Sequence, residues 1–134
     1  MDLSTINYWA VLVAALASFL IGGAWYSPAL FARAWMEENG FSEADLQSTN
    51  MVKLFGGAFV LAFVIAFNLA CFLGKDVGVA MGTFYGSLTG IGWVATSMGI
   101  TYLFERKSMR LFLINGGYHA LTFVVMGAII GAWS

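Results

Sequence analysis

Four long stretches of the chain contain no Asp, Glu, Lys or Arg: Leu3 to Ala32, Leu54 to Gly74, Val77 to Phe104, and Leu111 to Ser134. A bilayer core about 30 Å thick is crossed by roughly 20 apolar residues at about 1.5 Å each, and every stretch meets that length. The pattern predicts an all-α integral membrane protein, a four-helix transmembrane bundle forming one domain over residues 1–134. The helices are expected at about 6–26, 54–73, 77–104 and 111–133. Composition closes the soluble alternative: 60% of the 134 residues are hydrophobic and 10% charged, where a soluble domain carries roughly 25% charged residues. A cleaved secretory leader ending near Ala15-Leu16-Ala17 fits poorly. Asp2 stands where a basic residue is needed, and the apolar run continues past Ala17.

The remaining charges orient the bundle. Arg33 and Lys53 bracket the first loop and Arg106, Lys107 and Arg110 fill the third, whereas the second loop offers only Lys75. The positive-inside rule then puts the first and third loops in the cytoplasm and both termini outside. Tyr8, Trp9 and Trp133 fall at the outer interface, and Trp25, Tyr26, Trp35 and Tyr102 at the inner one. A net charge of −1 supplies no basic field for nucleic acid, so the expected surroundings are the lipid bilayer and a further copy or a larger membrane partner.

The first loop carries helix signals of its own. Ser27 can cap a helix whose first position is Pro28, and Leu30, Phe31, Ala34 and Trp35 recur on one side while Arg33, Glu37 and Glu38 take the other. A short interfacial amphipathic helix over about 28–39 is expected, ended by Gly40. Ser42 and Asp45 have the spacing of a capping box for a second short helix. A weak internal repeat pairs Gly56-Gly57, Leu61, Phe63 and Val64 with Gly116-Gly117, Leu121, Phe123 and Val124. A second pairing sets Leu30-Phe31-x-Arg33 against Leu103-Phe104-x-Arg106. A duplicated two-helix unit would relate the halves by an axis along the membrane normal.

Lipid tails are as apolar as leucine, so membrane helices associate through small residues that let backbones approach. Such residues recur every fourth position at Ala10, Ala14, Ser18 and Gly22; at Ala58, Ala62, Ala66 and Ala70; and at Gly78, Gly82, Gly86 and Gly90. The last span is less regular, with Gly116, Ala120, Gly127 and Gly131. Spacing alone leaves open whether these grooves receive helices of the same chain or of another.

His119 is the only histidine and lies within a span, about 12 Å from its cytoplasmic end. Asn115 and Thr122 share its face, and counting the same depth along neighbouring helices brings Ser18, Thr96 and Ser97 to its level. A polar layer is therefore expected, built to pin helices or to handle a ligand or proton. Asn68 is expected to bond between helices, and Tyr85 and Trp93 to pack in the interior. The single cysteine, Cys71, sits in an apolar run. With no paired carboxylates, His-Cys or His-Asp constellation, or phosphate loop, the residues predict no catalytic site, no metal site and no resident cofactor. Proton-coupled exporters of the small multidrug resistance family share four helices but rely on a membrane-embedded glutamate, which all four stretches lack.

Trp25-Tyr26-Ser27-Pro28 followed by Leu30-Phe31 and Trp35-Met36, then Asn115-x-Gly117-Tyr118-His119 and Met126-Gly127-Ala128 to Trp133, resembles the bacterial membrane proteins grouped as domain of unknown function 1761. The resemblance covers nearly the whole chain. It implies a small multi-helix protein of the cytoplasmic (inner) membrane and assigns no activity and no catalytic residue. Three functions follow as expectations. The favoured one is a non-catalytic protein acting through helix packing with itself or a partner. The second is a small-molecule carrier or binding protein using the layer around His119. The third, haem held by His119 from two subunits, needs a symmetric dimer.

Overall fold

The computed structural model describes residues 3–134, and there it is all helix. Met1 and Asp2, the latter used in weighing a leader peptide, lie outside the described residues. After a short 3₁₀ turn at Leu3–Thr5, helix α1 runs Tyr8–Trp25, with the Asn7 side chain accepting from the backbone N–H groups of Trp9 and Ala10. Helices α2 (Ala32–Asn39) and α3 (Glu43–Gln47) fill the first loop. Helix α4 runs Met51–Leu73, helix α5 Gly78–Thr89, and helix α6 Thr96–Phe104, joined to α5 by a π-helical turn at Gly90–Ala95. Helix α7, Met109–Ala132, ends the chain.

Three of these helices, α1, α4 and α7, are each long and apolar enough to cross a membrane without interruption. The remaining apolar stretch, the third in chain order, is an unbroken helical rod from Gly78 to Phe104 whose hydrogen-bond pattern changes at the π turn. Val52 and Phe104 are 85% and 86% exposed, a surface that suits lipid and would aggregate in water.

Two boundaries move outward from the limits of the apolar runs. Helix α4 begins at Met51 rather than Leu54 because Asn50 caps it, accepting from the Lys53 N–H. Helix α7 begins at Met109 rather than Leu111 because Ser108 accepts from the Leu111 N–H. Caps set the ends, and Lys53 and Arg110 sit inside the first turns. The interfacial helix moves the other way. It starts at Ala32, not Pro28, because the Ser27 hydroxyl donates backwards to the Ala24 carbonyl and caps nothing ahead of it. Gly40 ends it in the left-handed conformation (φ +69°). The Ser42–Asp45 capping box forms in both directions.

Helix α7 is the hub, packed against α1, α4, α5 and the π turn. The core joins Val11, Ala14 and Ala15 of α1 to Ala62, Ala66, Leu69 and Ala70 of α4 and to Met126 and Ile130 of α7. The alanine tracks thus bring α1 and α4 together. The glycine track serves α7: a Cβ on Gly82 would run into the Gly127 carbonyl, one on Gly86 into the Phe123 carbonyl, and one on Gly90 into the Phe123 side chain at 2.6 Å. Gly78 differs from the rest of its track, since its own Cβ would meet open space and its φ is +84°. Its carbonyl instead lies against Gly131, and glycine is needed there for the backbone conformation. The internal repeat does not extend to packing. Gly56 and Gly57 face open space, whereas Gly116 lies against Phe112 and Gly117 against Trp25.

Candidate functional site

Among the described residues no hydrogen bond joins His119 to the side chains expected to surround it. Ser18 is buried, but its hydroxyl donates to the Ala15 carbonyl of its own helix at 2.6 Å. Thr96 and Ser97 are exposed, and both donate to carbonyls of the π turn: Thr96 to Gly92 and Trp93, Ser97 to Trp93. The Trp93 carbonyl also accepts from the Thr96 backbone N–H, so both hydroxyls are bound within their own rod. Thr122 is buried one helical turn from the Tyr118 phenol, without a hydrogen bond of ordinary geometry. His119 itself is half-buried and stacks edge-on against Tyr118 with ring centroids 5.0 Å apart. No described residue forms a hydrogen bond with its ring. Which way each of these side chains faces was not recoverable from counting residues along the helices.

Asn115 belongs to a different assembly, nearer the N-terminal end of α7. Its Oδ1 accepts from the Tyr26 hydroxyl at 2.7 Å, and its Nδ2 donates to the Tyr102 hydroxyl at 2.9 Å. One amide therefore joins the end of α1, the end of α6 and the body of α7. Trp25 adds a second link, its Nε1 donating to the Ile114 carbonyl at 2.8 Å. Tyr118 adds a third by donating to the Ser18 carbonyl at 3.1 Å, and its ring fills the space left by Gly22. The rings close the cluster: Tyr26 meets Tyr118 at 5.3 Å and Trp35 at 5.9 Å, both edge-on.

Helix α2 is fastened over this cluster from outside. Arg110 lies 3.3 Å from Glu37 and 3.5 Å from Glu38, and the Ser108 hydroxyl donates to Glu38 at 2.6 Å. The ion pairs are half-exposed and contribute little stability. Their effect is to set where α2 lies.

Sequence reasoning placed Tyr26 and Tyr102 in an aromatic belt and missed them as partners of Asn115. Each does lie at a helix end, but a phenol at an interface gives no sign of pointing inward. The signal that existed was the pair of short motifs, Trp25-Tyr26-Ser27-Pro28 and Asn115-x-Gly117-Tyr118-His119, which the fold brings into contact.

The family model described as a protein of unknown function (DUF1761) matches residues 9–131. The chain belongs to the DUF1761 family. No curated protein and no solved structure matches it. Within this DUF1761 chain the two motifs form a structural clasp, in which every polar side chain but His119 is paired.

Proposed function

We propose that this DUF1761 protein is a multi-pass protein of the bacterial inner membrane that crosses four times, with both termini outside. In this reading it works without catalysis, by packing the open face of α4 against a second copy or a larger membrane protein. The four-crossing topology is supported by the unbroken rod from Gly78 to Phe104 and by the five basic residues of the first and third loops.

One observation carries the packing reading. Helix α4 buries Ala62, Ala66, Leu69 and Ala70 against its own bundle, while at its cytoplasmic half Gly56 and Gly57 face open space beside exposed Val60 and Leu61. Gly82, Gly86, Gly127 and Gly131 are occupied by each other's helices, whereas Gly56 and Gly57 together leave a face that a further helix could approach closely. Carriage of a small molecule at His119 has less support, since the hydroxyls of Ser18, Thr96 and Ser97 bond to their own helices.

The test is photo-crosslinking in native membranes from a probe at Leu61, with Gly57→Leu as the disrupting variant. A discrete adduct that Gly57→Leu abolishes is expected. Crosslinks to lipid alone would overturn the packing reading. Tags at both termini should report the periplasm, and a reporter within residues 37–49 the cytoplasm; the reverse result would overturn the topology.

A further inference from the structure

The bundle is left open on one side. Helix α4 leans on α1 and α7 and scarcely touches α5. A cleft of about 420 Å³ remains between them, lined by Asn68, Leu69 and Phe72 of α4, Thr89 and Trp93 of the facing rod, and Phe123 of α7. The walls are aromatic: the Phe72 ring meets Tyr85 edge-on at 5.8 Å and Trp93 at 5.9 Å.

Two polar side chains in the cleft have unused hydrogen-bonding capacity. Asn68 donates one amide N–H to the Val64 carbonyl at 2.8 Å, leaving its second N–H and its Oδ1 without a partner among the described residues. Trp93 is 63% exposed, and its indole N–H has no acceptor among the described residues. Thr89 adds no further donor, because its hydroxyl proton is directed at the Tyr85 and Gly86 carbonyls. At about 1.5 Å per residue Trp93 lies roughly 16 Å in from Phe104 along the rod, far from the headgroup level where tryptophan usually sits. Bilayer hydrocarbon offers these donors no partner, and unpaired polar groups there are costly. Trp93 also sits on the π turn, a distortion that is frequent at functional sites.

We propose that this cleft binds a small, flat, lipid-soluble compound of the quinone class, entering sideways from the bilayer. Aromatic walls suit a planar ring, and ring carbonyl oxygens can accept from the Trp93 indole N–H and the free Asn68 N–H. A lipid acyl chain would fill the volume but leave both donors unpaired. A helix from a second copy is disfavoured by the walls, since Leu69, Phe72 and Trp93 hold backbones apart where close helix packing needs small residues. The site lies toward the outer half of α4, away from Gly56 and Gly57. The inference rests on the spanning reading of residues 78–104 and is independent of the partner at α4.

The test uses full-length protein in phosphatidylcholine nanodiscs. Duroquinone is the probe, because its fully methylated ring cannot alkylate Cys71, and durene is the same skeleton without carbonyls. Equilibrium dialysis should show saturable duroquinone binding above that of empty nanodiscs. Asn68→Leu and Trp93→Phe should each weaken it about fivefold, and durene should bind about tenfold more weakly, the factors expected for one or two hydrogen bonds. Equal binding of durene, no saturable excess, or unchanged variants would overturn the site. So would a dimer in native mass spectra that Asn68→Leu dissolves. Brominated lipids separate the two levels, with the Trp93 signal taken as the difference between the parent protein and Trp93→Phe. A bromolipid-quenched Trp93 without saturable duroquinone binding sinks the site alone. A Trp93 that bromolipid does not quench sinks the spanning reading and the site together.

Discussion

Gly82 and Gly127 meet backbone to backbone: a Cβ placed on either would collide with the carbonyl oxygen of the other. The contact continues one turn on, where a Cβ on Gly131 would lie 2.9 Å from the Gly82 Cα. Without a hydrophobic driving force in lipid, this closeness is what holds α5 to α7, through dispersion over the two backbones. Gly127→Ala should therefore destabilise by about 1–3 kcal/mol, the usual cost of overpacking. Leucine at Gly82 or Gly86 should prevent assembly of the bundle. Gly57→Ala, where the added methyl meets open space, is the control and should not lower stability to denaturant in bicelles, raising it by at most about 1 kcal/mol.

The clasp predicts unequal losses from its members. Tyr26→Phe removes one hydrogen bond to Asn115 and should cost about 0.5–1.5 kcal/mol. Asn115→Leu leaves the hydroxyls of Tyr26 and Tyr102 unpaired together and should cost more than Tyr26→Phe and Tyr102→Phe measured singly. Equal losses in all three variants, in the same bicelle assay, would show that the amide is not the shared partner.

His119 is expected to be tolerant. Its ring contacts Tyr118 and bonds to no described residue, so His119→Gln and His119→Leu should both stay within about 0.5 kcal/mol of the parent protein. A pinning role predicts the contrast of a neutral Gln and a Leu costing about 1–2 kcal/mol, near the upper range for interhelical polar contacts. Chemical unfolding of the two variants decides between them.

The α3 cap should respond to acid. The Ser42 backbone N–H and hydroxyl bond to Asp45 and hold its carboxyl below the usual carboxylate range. A carboxyl with a lowered folded pKa stabilises fully above its unfolded value, about 3.9, and loses that contribution as pH falls through the folded value. Amide protection factors of residues 43–47, with the intrinsic pH dependence of exchange divided out, should fall at the acid end of that window and stay constant between about pH 5 and 8. Asp45→Asn should remove the pH dependence.

Part of this architecture was legible without coordinates. The charge-free stretches named the long apolar segments, Gly40 marked the end of α2, and Ser42 with Asp45 marked the start of α3, because length, hydropathy and caps are local properties. Spacing within one helix also marked Ala62, Ala66 and Ala70 and Gly82, Gly86 and Gly90, which pack, but not that Ala58 is exposed or that Ala15 is buried. It did not reveal the π turn at Gly90–Ala95, which has no capping or proline signal.

Tertiary structure alone decided which face met which. Gly82 and Gly86 were free to pair with a second copy until α7 placed Gly127 and Gly131 opposite them. Asn115 and His119 are one turn apart and were read together, yet the fold turns one toward Tyr26 and Tyr102 and sets the other edge-on to Tyr118. The physical reason is common to both cases. A side chain's depth follows from counting residues at a fixed rise, whereas its partner depends on the rotation of each helix about its axis, which only the packing of all the helices together determines.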